Sequence, residues 1–135
     1  MIEPAPAGHP LGFQDLLQAA QAPGSPRVDD YGVPFMAAAR IGATLLGQDV
    51  YHGARMKAAA LLDTLLRHRW LEHHQARAAW AATVAQLEAN GHMLRDDIKP
   101  GDIAAVLAQV AGPGVHLVEL ARTLQNWTSE PDPSS

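Results

Sequence analysis

Residues 57–91 constrain the fold of this chain more than any other segment. They read KAAALLDTLLRHRWLEHHQARAAWAATVAQLEANG, two apolar stretches with helical spacing that flank a short charged segment. The charged segment and its edges hold seven ionisable residues, Arg67, His68, Arg69, Glu72, His73, His74 and Arg77. We expect two packed helices, because each stretch can bury an apolar face against the other. The charged segment then becomes their connecting loop, which must face solvent or a pocket.

Apolar periodicity along the rest of the chain predicts an all-α fold. The expected helices cover about residues 12–22, 33–41, 52–67, 75–89, 99–111 and 116–127. Gly42 and Gly47 fall in a stretch that we interpret as a loop or a short hairpin-like flap, and no stretch shows the sustained alternation typical of strands. The sequence therefore predicts a single helical bundle of about six helices with a short flap.

Local signals predict where helices begin and end. Asp29 and Asp30 stand before an apolar run and can cap a helix there. Asn90 and Gly91 form a stop signal, because glycine accepts the left-handed conformation at a helix C-terminus. Residues 23–26 predict a turn. We expect residues 1–10 to be an irregular lead, 11–127 to be the helical domain and 128–135 to be a disordered tail.

Composition excludes several functional classes. The 135 residues include no cysteine, which excludes disulfides and cysteine zinc sites and is compatible with a cytoplasmic protein. A formal net charge of -4 and a pI of about 5.9 argue against general nucleic-acid binding. The sequence contains no apolar run of the ~18 residues that a membrane span requires. The first ten residues lack the basic and apolar regions of a signal peptide.

Four segments, taken in order, resemble the Doc (death-on-curing) branch of the Fic family, which comprises the toxins of toxin–antitoxin pairs. GFQDLLQAA is similar to the opening helix of that family. VDDYGVPFMAAARIGATLLGQDVY resembles its next helix and flap, which ends in a G-x-D-x-Y pattern at Gly47, Asp49 and Tyr51. KAAALLDTLLR and AAWAATVAQLEANG resemble the helices on either side of its catalytic loop. The resemblance extends over about residues 11–127 and implies the same helical fold.

The resemblance also implies a chemistry for the loop. The family carries a signature of the type H-x-F-x-D-G-N-K-R, in which the histidine is a general base and the acid binds the metal that bridges the phosphates. The Gly-Asn-Lys/Arg stretch cradles phosphates at a helix N-terminus, where amide groups and the helix dipole favour anions. A working toxin of this kind implies ATP with Mg²⁺ as cofactor and an antitoxin-like protein as partner. Outside that alternative we expect no cofactor.

Two alignments of the loop with this signature remain open. Without gaps, Arg69 falls on the base, His73 on the acid, His74 on the glycine, and Arg77 keeps the arginine. With a one-residue shift, His68-Arg-Trp-Leu-Glu72 matches H-x-aromatic-x-acid, and histidines replace the Gly-Asn pair. Both alignments lack the Gly-Asn pair, so we expect the nucleotide chemistry of the family to be lost or altered.

These alignments lead to two sets of candidate site residues. We predict catalytic roles for His68, Glu72, His73 and Arg77. Ligand-binding roles are predicted for Arg69, His74, Asp49 and Tyr51. No metal site is predicted, because adjacent histidines on a helix would point about 100° apart.

Ordinary structural roles compete with these assignments. His68 and Glu72 could form a solvated ion pair worth only ~0.5 kcal/mol. An arginine at a helix start, such as Arg77, opposes the helix dipole unless it serves an anion. Trp70 is expected to anchor the loop in the core. His92 and His116, near helix ends, are expected at the surface.

Three functions remain open on the sequence alone. The leading hypothesis is a pocket reused for another polar or anionic small ligand, with acid–base catalysis by a loop histidine, which titrates near neutral pH. The second is a toxin that phosphorylates or nucleotidylates a protein hydroxyl. The third is a binding-only pseudoenzyme. None of them requires nucleic acid or a membrane.

Overall fold

A computed structural model describes residues 11–21 and 27–129 of the chain. Within these ranges it contains six helices: α1 (Phe13–Gln21), α2 (Gly32–Ile41), α3 (Gly53–Arg67), α4 (Gln75–Ala89), α5 (Pro100–Ala111) and α6 (Leu117–Trp127). A small antiparallel hairpin joins α2 to α3, with strands β1 (Thr44–Leu45) and β2 (Gln48–Asp49). The predicted all-α bundle with a short flap is confirmed.

Helix α3 is the centre of the bundle. It contacts α2, α4, α5 and α6, and residues 57–66 are all buried. A helix that is apolar around most of its circumference is stable only when neighbours cover every side. Ala58, Ala59 and Ala60 have no exposed surface, so the neighbouring helices approach closely at this point. The central helix therefore gives the loop and the flap, at its two ends, a rigid base.

Helix α4 packs along α3 on the face that the periodicity predicted. Ala79, Ala82, Thr83 and Leu87 are buried, and α1 covers the same helix from the other side. Trp80 is half-buried at the edge and meets the ring of Trp127 from α6 edge-on, with 6.0 Å between ring centroids. The α3–α4 pair is thus the two-helix unit expected from residues 57–91.

The helix ends match the predicted signals in part. Gly91 follows α4 with a φ of 83°, the left-handed conformation that made it a stop signal. The carboxylate of Asp30 accepts a hydrogen bond from the N–H of Gly32 at 2.8 Å and so supports the start of α2. Asp29 does not act as a cap here, because its carboxylate pairs with Arg27 at 3.1 Å.

The two described residues that follow α6, Thr128 and Ser129, contact the α4–α5 connection. Thr128 is buried and pairs with Leu94, and Ser129 donates its N–H to the carbonyl of Met93 at 2.9 Å. The rest of the predicted tail, the predicted lead at residues 1–10 and the turn at residues 23–26 lie outside the described residues. None of the described helices is both long and apolar enough to cross a bilayer.

Candidate functional site at the α3–α4 loop

The α3–α4 loop, residues 68–74, is anchored in the core by one side chain. Trp70 has no exposed surface, and its indole N–H donates to the carbonyl of Leu65 at 3.1 Å. The indole therefore buries a large apolar area while its one polar group is satisfied by the last turns of α3. This contact is the structural role that the sequence predicted for Trp70.

The side chain of Gln75, the first residue of α4, bridges the two ends of this loop. Its Oε1 accepts the N–H of Trp70 at 2.9 Å, and its Nε2 donates to the carbonyl of His68 at 2.9 Å. The first three residues of the loop are thereby tied to the start of α4. An amide side chain suits this task because it donates and accepts at once.

A second segment braces the loop from outside the α3–α4 pair. The carbonyl of Trp70 accepts the N–H groups of Asp29 and Asp30 at 2.8 and 3.2 Å. The N–H of Glu72 donates to the carbonyl of Arg27 at 3.0 Å, and Leu71 pairs with Val28. The backbone of the loop is therefore fixed by hydrogen bonds on both sides, although its charged side chains are outside the core.

His74 has the unusual conformation in this loop. Its φ of 59° and ψ of 31° are left-handed, and α4 begins at the next residue. Non-glycine residues adopt this conformation at a cost of about 1–2 kcal/mol. The gapless alignment puts His74 on the glycine of the signature, the residue type that adopts this conformation most readily. The shifted alignment puts His74 on the asparagine, which also visits this conformation, so the backbone is compatible with both alignments.

The start of α4 carries positive and no negative charge. No side-chain hydrogen bond caps the helix at His74, and the first turn holds no acidic residue. Arg77 lies in that first turn and is exposed. A cation there opposes the helix dipole, whereas an anion would be favoured by the dipole and by the N–H groups of the turn.

All six predicted loop and helix-start residues are exposed, namely His68, Arg69, Glu72, His73, His74 and Arg77. The structure brings three of them together. His73 Nδ1 lies 3.7 Å from Glu72 Oε2, and the rings of His73 and His74 meet edge-on with 4.5 Å between centroids. His68 and Arg69 are both open to solvent, so neither side chain is turned into the protein.

The predicted flap residues are bound to cations of the scaffold. The carboxylate of Asp49 lies 3.2 Å from Lys57 Nζ, and the same ammonium donates to the carbonyl of Tyr51 at 2.6 Å. The hydroxyl of Tyr51 accepts the Nε–H of Arg40 at 2.7 Å. Asp49 and Tyr51 therefore fasten the flap to α2 and α3 in this structure.

This network continues along α3 through Asp63. Arg40 Nη1 donates to Asp63 Oδ2 and Thr64 Oγ1, both at 2.9 Å, and Arg67 donates to Asp63 Oδ1 at 2.8 Å. Burial by itself raises the pKa of the Asp63 carboxyl. The hydrogen bonds and charges of the two arginines outweigh burial, and the pKa is lowered from its ordinary value. Asp63 is therefore a stable carboxylate that joins α2 to the C-terminal half of α3.

The shared pocket predicted for His68, Glu72 and Arg77 beneath the flap stays a prediction. Among the described residues, no hydrogen bond, ion pair or ring contact joins these three side chains to the flap. Three cavities of about 320, 310 and 100 Å³ are lined by other residues of the bundle.

Sequence reasoning missed four residues that shape this site, Gln75, Arg40, Lys57 and Asp63. A usable signal existed for two of them. Lys57 and Asp63 interrupt an otherwise apolar helix, and a charge at a buried position must have a partner. Gln75 and Arg40 carried no such signal, because each stands at a position where an exposed polar residue is ordinary.

The loop offers one carboxylate to the magnesium ion that the resemblance implies. Mg²⁺ prefers oxygen ligands, and Glu72 is the one carboxylate in residues 68–77. That carboxylate faces His73, an imidazole that becomes cationic when protonated. Within the described residues, no three His, Asp or Glu side chains are close enough together to hold a metal ion.

Comparison with known proteins identifies the family. The chain is 34% identical over 121 residues to a protein named Toxin Doc from Mycolicibacterium smegmatis (strain ATCC 700084 / mc(2)155). The match covers 88% of this chain and 93% of that relative. No family model matches the chain, and no solved structure gives a significant match. With its helical bundle, its flap and its braced loop before α4, the chain belongs to the Fic/Doc family.

Proposed function

We propose that this protein is the toxin of a toxin–antitoxin pair and that it acts through the α3–α4 loop. The relative named Toxin Doc supports this proposal, because the match extends over nearly the whole of both chains. The observation that carries the site is the left-handed His74 directly before an uncapped helix start with an exposed arginine. That arrangement suits an anionic group of a ligand or target.

The proposed ligand is a phosphate-bearing or otherwise anionic small molecule. Its charged group would lie at the first turn of α4, where the N–H groups and the dipole favour an anion. Arg77 supplies a guanidinium from that turn, and Arg69 supplies a second one from the loop. Guanidinium groups bind phosphate and carboxylate with two parallel hydrogen bonds, which fixes orientation as well as charge.

The proposed chemistry differs from that of the family signature, because the loop lacks the Gly-Asn pair and its one carboxylate, Glu72, faces His73. Ligand charge would be balanced by arginine side chains rather than by a metal ion held on a carboxylate. His68 is the candidate acid–base residue, since histidine is the side chain that serves most often as a general acid or base and this one is exposed. Glu72 and His73, which face each other, would tune the local charge.

A growth assay tests the toxin proposal. Controlled expression of the chain in a bacterial host should arrest growth, and co-expression of the neighbouring antitoxin-like gene should restore it. Arg77→Gln should abolish the arrest at equal protein level. Lys99→Gln is the matched control, because Lys99 is also an exposed cation, at the start of α5 and outside the loop. Normal growth with the folded unmodified chain would contradict the toxin proposal.

A second candidate function is a pocket reused for another small ligand without a toxic role. The exposed histidines and arginines at the loop favour it, because this set of side chains suits acid–base work on an anionic molecule. Calorimetry separates the candidates. We expect ATP with Mg²⁺ to bind weakly or not at all, whereas other anionic metabolites should bind in an Arg77-dependent manner. Micromolar binding of ATP that requires Mg²⁺ would restore the ordinary family chemistry.

A binding-only role is the third outcome of the same experiments. A catalytic acid or base contributes about 10²–10⁴-fold to a rate. If a ligand is found and His68→Ala leaves its turnover unchanged, His68 has no part in the reaction. If the ligand binds through Arg77 and no product forms, the protein is a binding-only pseudoenzyme.

A further inference from the structure

The amide side chain of Gln75 clamps a segment of the α3–α4 loop that contains both candidates for the base position of the signature. It donates to the carbonyl of His68 and accepts the N–H of Trp70, each at 2.9 Å. Arg69 lies between these two contacts. The gapless alignment puts Arg69 on the base, and the shifted alignment puts His68 there. The Gln75 clamp therefore holds the residue at this position in either alignment.

The two residues that the clamp contacts differ in what else holds them. Trp70 is also fixed by its buried indole and by its carbonyl, which accepts the N–H groups of Asp29 and Asp30. Within the described residues, by contrast, Gln75 Nε2 is the one hydrogen-bond donor to the carbonyl of His68. The side chains of residues 68 and 69 are exposed, so packing does not fix them. Loss of the clamp should therefore leave Trp70 in the core and release the two residues before it.

The clamp requires the chemistry of an amide. It accepts one hydrogen bond and donates another, so it needs an oxygen and an N–H group at the end of the same side chain. Glutamate, of the same length, only accepts when it is ionised, and methionine lacks an N–H donor and has only a weak acceptor. Gln75 is half-buried at the first position of α4. Substitutions of similar size can therefore separate the clamp from helix formation.

We propose that Gln75 is a positioning residue that holds the backbone of His68 and Arg69, so that their side chains meet the anionic ligand in one fixed geometry. Such positioning matters because a displacement of about 1 Å at a reacting group can cost about 10²-fold in rate. The clamp itself is a property of the free protein. Its effect on growth rests on the proposed toxin function, so the two are measured separately.

Amide hydrogen exchange and ¹⁵N relaxation of the full chain test the clamp without a ligand. Gln75→Met keeps the side-chain length and the helix propensity but removes both hydrogen bonds. We expect the Trp70 amide to exchange about tenfold faster, and the His68 and Arg69 amides to become more mobile, at an unchanged melting temperature. Gln109→Met, at an exposed position of α5, is the matched control and should leave all three amides unchanged. Wild-type exchange and mobility of these amides in Gln75→Met would overturn the proposal.

The growth assay tests what the clamp contributes to function. At equal protein level and equal melting temperature, Gln75→Met should relieve the growth arrest that the wild type causes, whereas Gln109→Met should not. An arrest by Gln75→Met as strong as that of the wild type would overturn the positioning role. A wild type that causes no arrest would contradict the toxin proposal alone, and the exchange and relaxation data would then decide the clamp.

Gln75→Glu separates the clamp from the start of α4. Glutamate keeps the acceptor for the Trp70 N–H, cannot donate to the His68 carbonyl, and is favoured by the helix dipole in the first turn. We expect a melting temperature at or above that of the wild type, a protected Trp70 amide and a mobile His68 amide. Relief of the arrest in both Gln75→Glu and Gln75→Met would support positioning. Relief in the glutamate variant alone would be an effect of its charge on the anionic ligand and would overturn the positioning role.

Discussion

The charged side chains at the two ends of α3 differ in their burial and in their pairing. At the flap end, Asp49 pairs with Lys57, which is only 1% exposed, and the hydroxyl of Tyr51 accepts a hydrogen bond from Arg40. At the loop end, every charged side chain from residue 68 to residue 77 is exposed, and the described ion pairs there reduce to a 3.7 Å contact between His73 and Glu72. The first arrangement stabilises a fold, and the second leaves charge available for a ligand.

The difference follows from the energy of burial. A buried ammonium or carboxylate is strongly destabilising unless an opposite charge and hydrogen bonds compensate it. Lys57 meets this condition through Asp49 and the carbonyl of Tyr51. The loop does not incur the free-energy cost of burying a charge, because its charged side chains stay in water. Its backbone is nevertheless fixed by hydrogen bonds. A rigid backbone with exposed charge is the arrangement that preorganises a binding site.

The largest expected effect concerns the anchor of the loop. Trp70→Ala should lower the free energy of unfolding by about 3–5 kcal/mol, because it empties a fully buried site beside α3. Urea denaturation measures the change. Trp70→Phe is the control and should cost less, since it keeps most of the ring and loses the hydrogen bond to Leu65. A loss below about 1 kcal/mol in the alanine variant would mean that the loop is not anchored in the core.

The next effect concerns Asp63, whose carboxylate is shared by Arg40 of α2 and Arg67 in the last turn of α3. Asp63→Asn should cost about 1–3 kcal/mol at pH 7, because Arg40 and Arg67 lose their shared carboxylate. The folded pKa of Asp63 is lowered, so its contribution is present above the ordinary aspartate pKa and is lost as the pH falls through the lowered value.

Denaturation at several pH values measures this dependence. The stability difference between the wild type and Asp63→Asn should shrink between about pH 5 and pH 2. Asp102→Asn is the control, because Asp102 is exposed in the first turn of α5. A difference that is constant over this range would remove Asp63 from the charge network.

A smaller effect, of opposite sign, is expected at the strained residue of the loop. His74→Gly should raise the free energy of unfolding by about 0.5–1 kcal/mol, because glycine adopts the left-handed conformation without a steric cost. His73→Gly is the matched control and should lower stability, since the backbone of His73 does not have a positive φ. Equal effects of both changes would show that the strain at His74 is absent in solution.

The smallest effect on stability is expected for an exposed charge of the loop end. Arg77→Gln should change the free energy of unfolding by less than about 0.5 kcal/mol, because the side chain is exposed. The same variant should lose function in the growth assay. A loss of several kcal/mol would instead make Arg77 a structural residue and would erase the contrast between the two ends of α3.

The sequence by itself determined the elements of this protein. Periodic apolar residues predicted all six helices, and the bounds predicted for α4 were those observed. Gly91 predicted the end of α4, because its left-handed conformation depends on local sterics alone. The anchoring of Trp70 was also predictable, because a large indole between two apolar helices has few other places to be buried. The order of the helices and the flap along the sequence was enough to detect the resemblance to the Fic/Doc family.

Only the tertiary structure decided how the charged groups are used. The sequence predicts ligand-binding roles for Asp49 and Tyr51, and the structure adds their contacts with Lys57 and Arg40, which lie on other elements. His92 was expected at the surface, yet the chain end covers it and bonds to its ring. The burial and pairing of a polar side chain depend on partners that are distant in sequence. The formation of a helix depends on neighbours three and four residues away. Local patterns therefore predict helices well and the pairing of charges poorly.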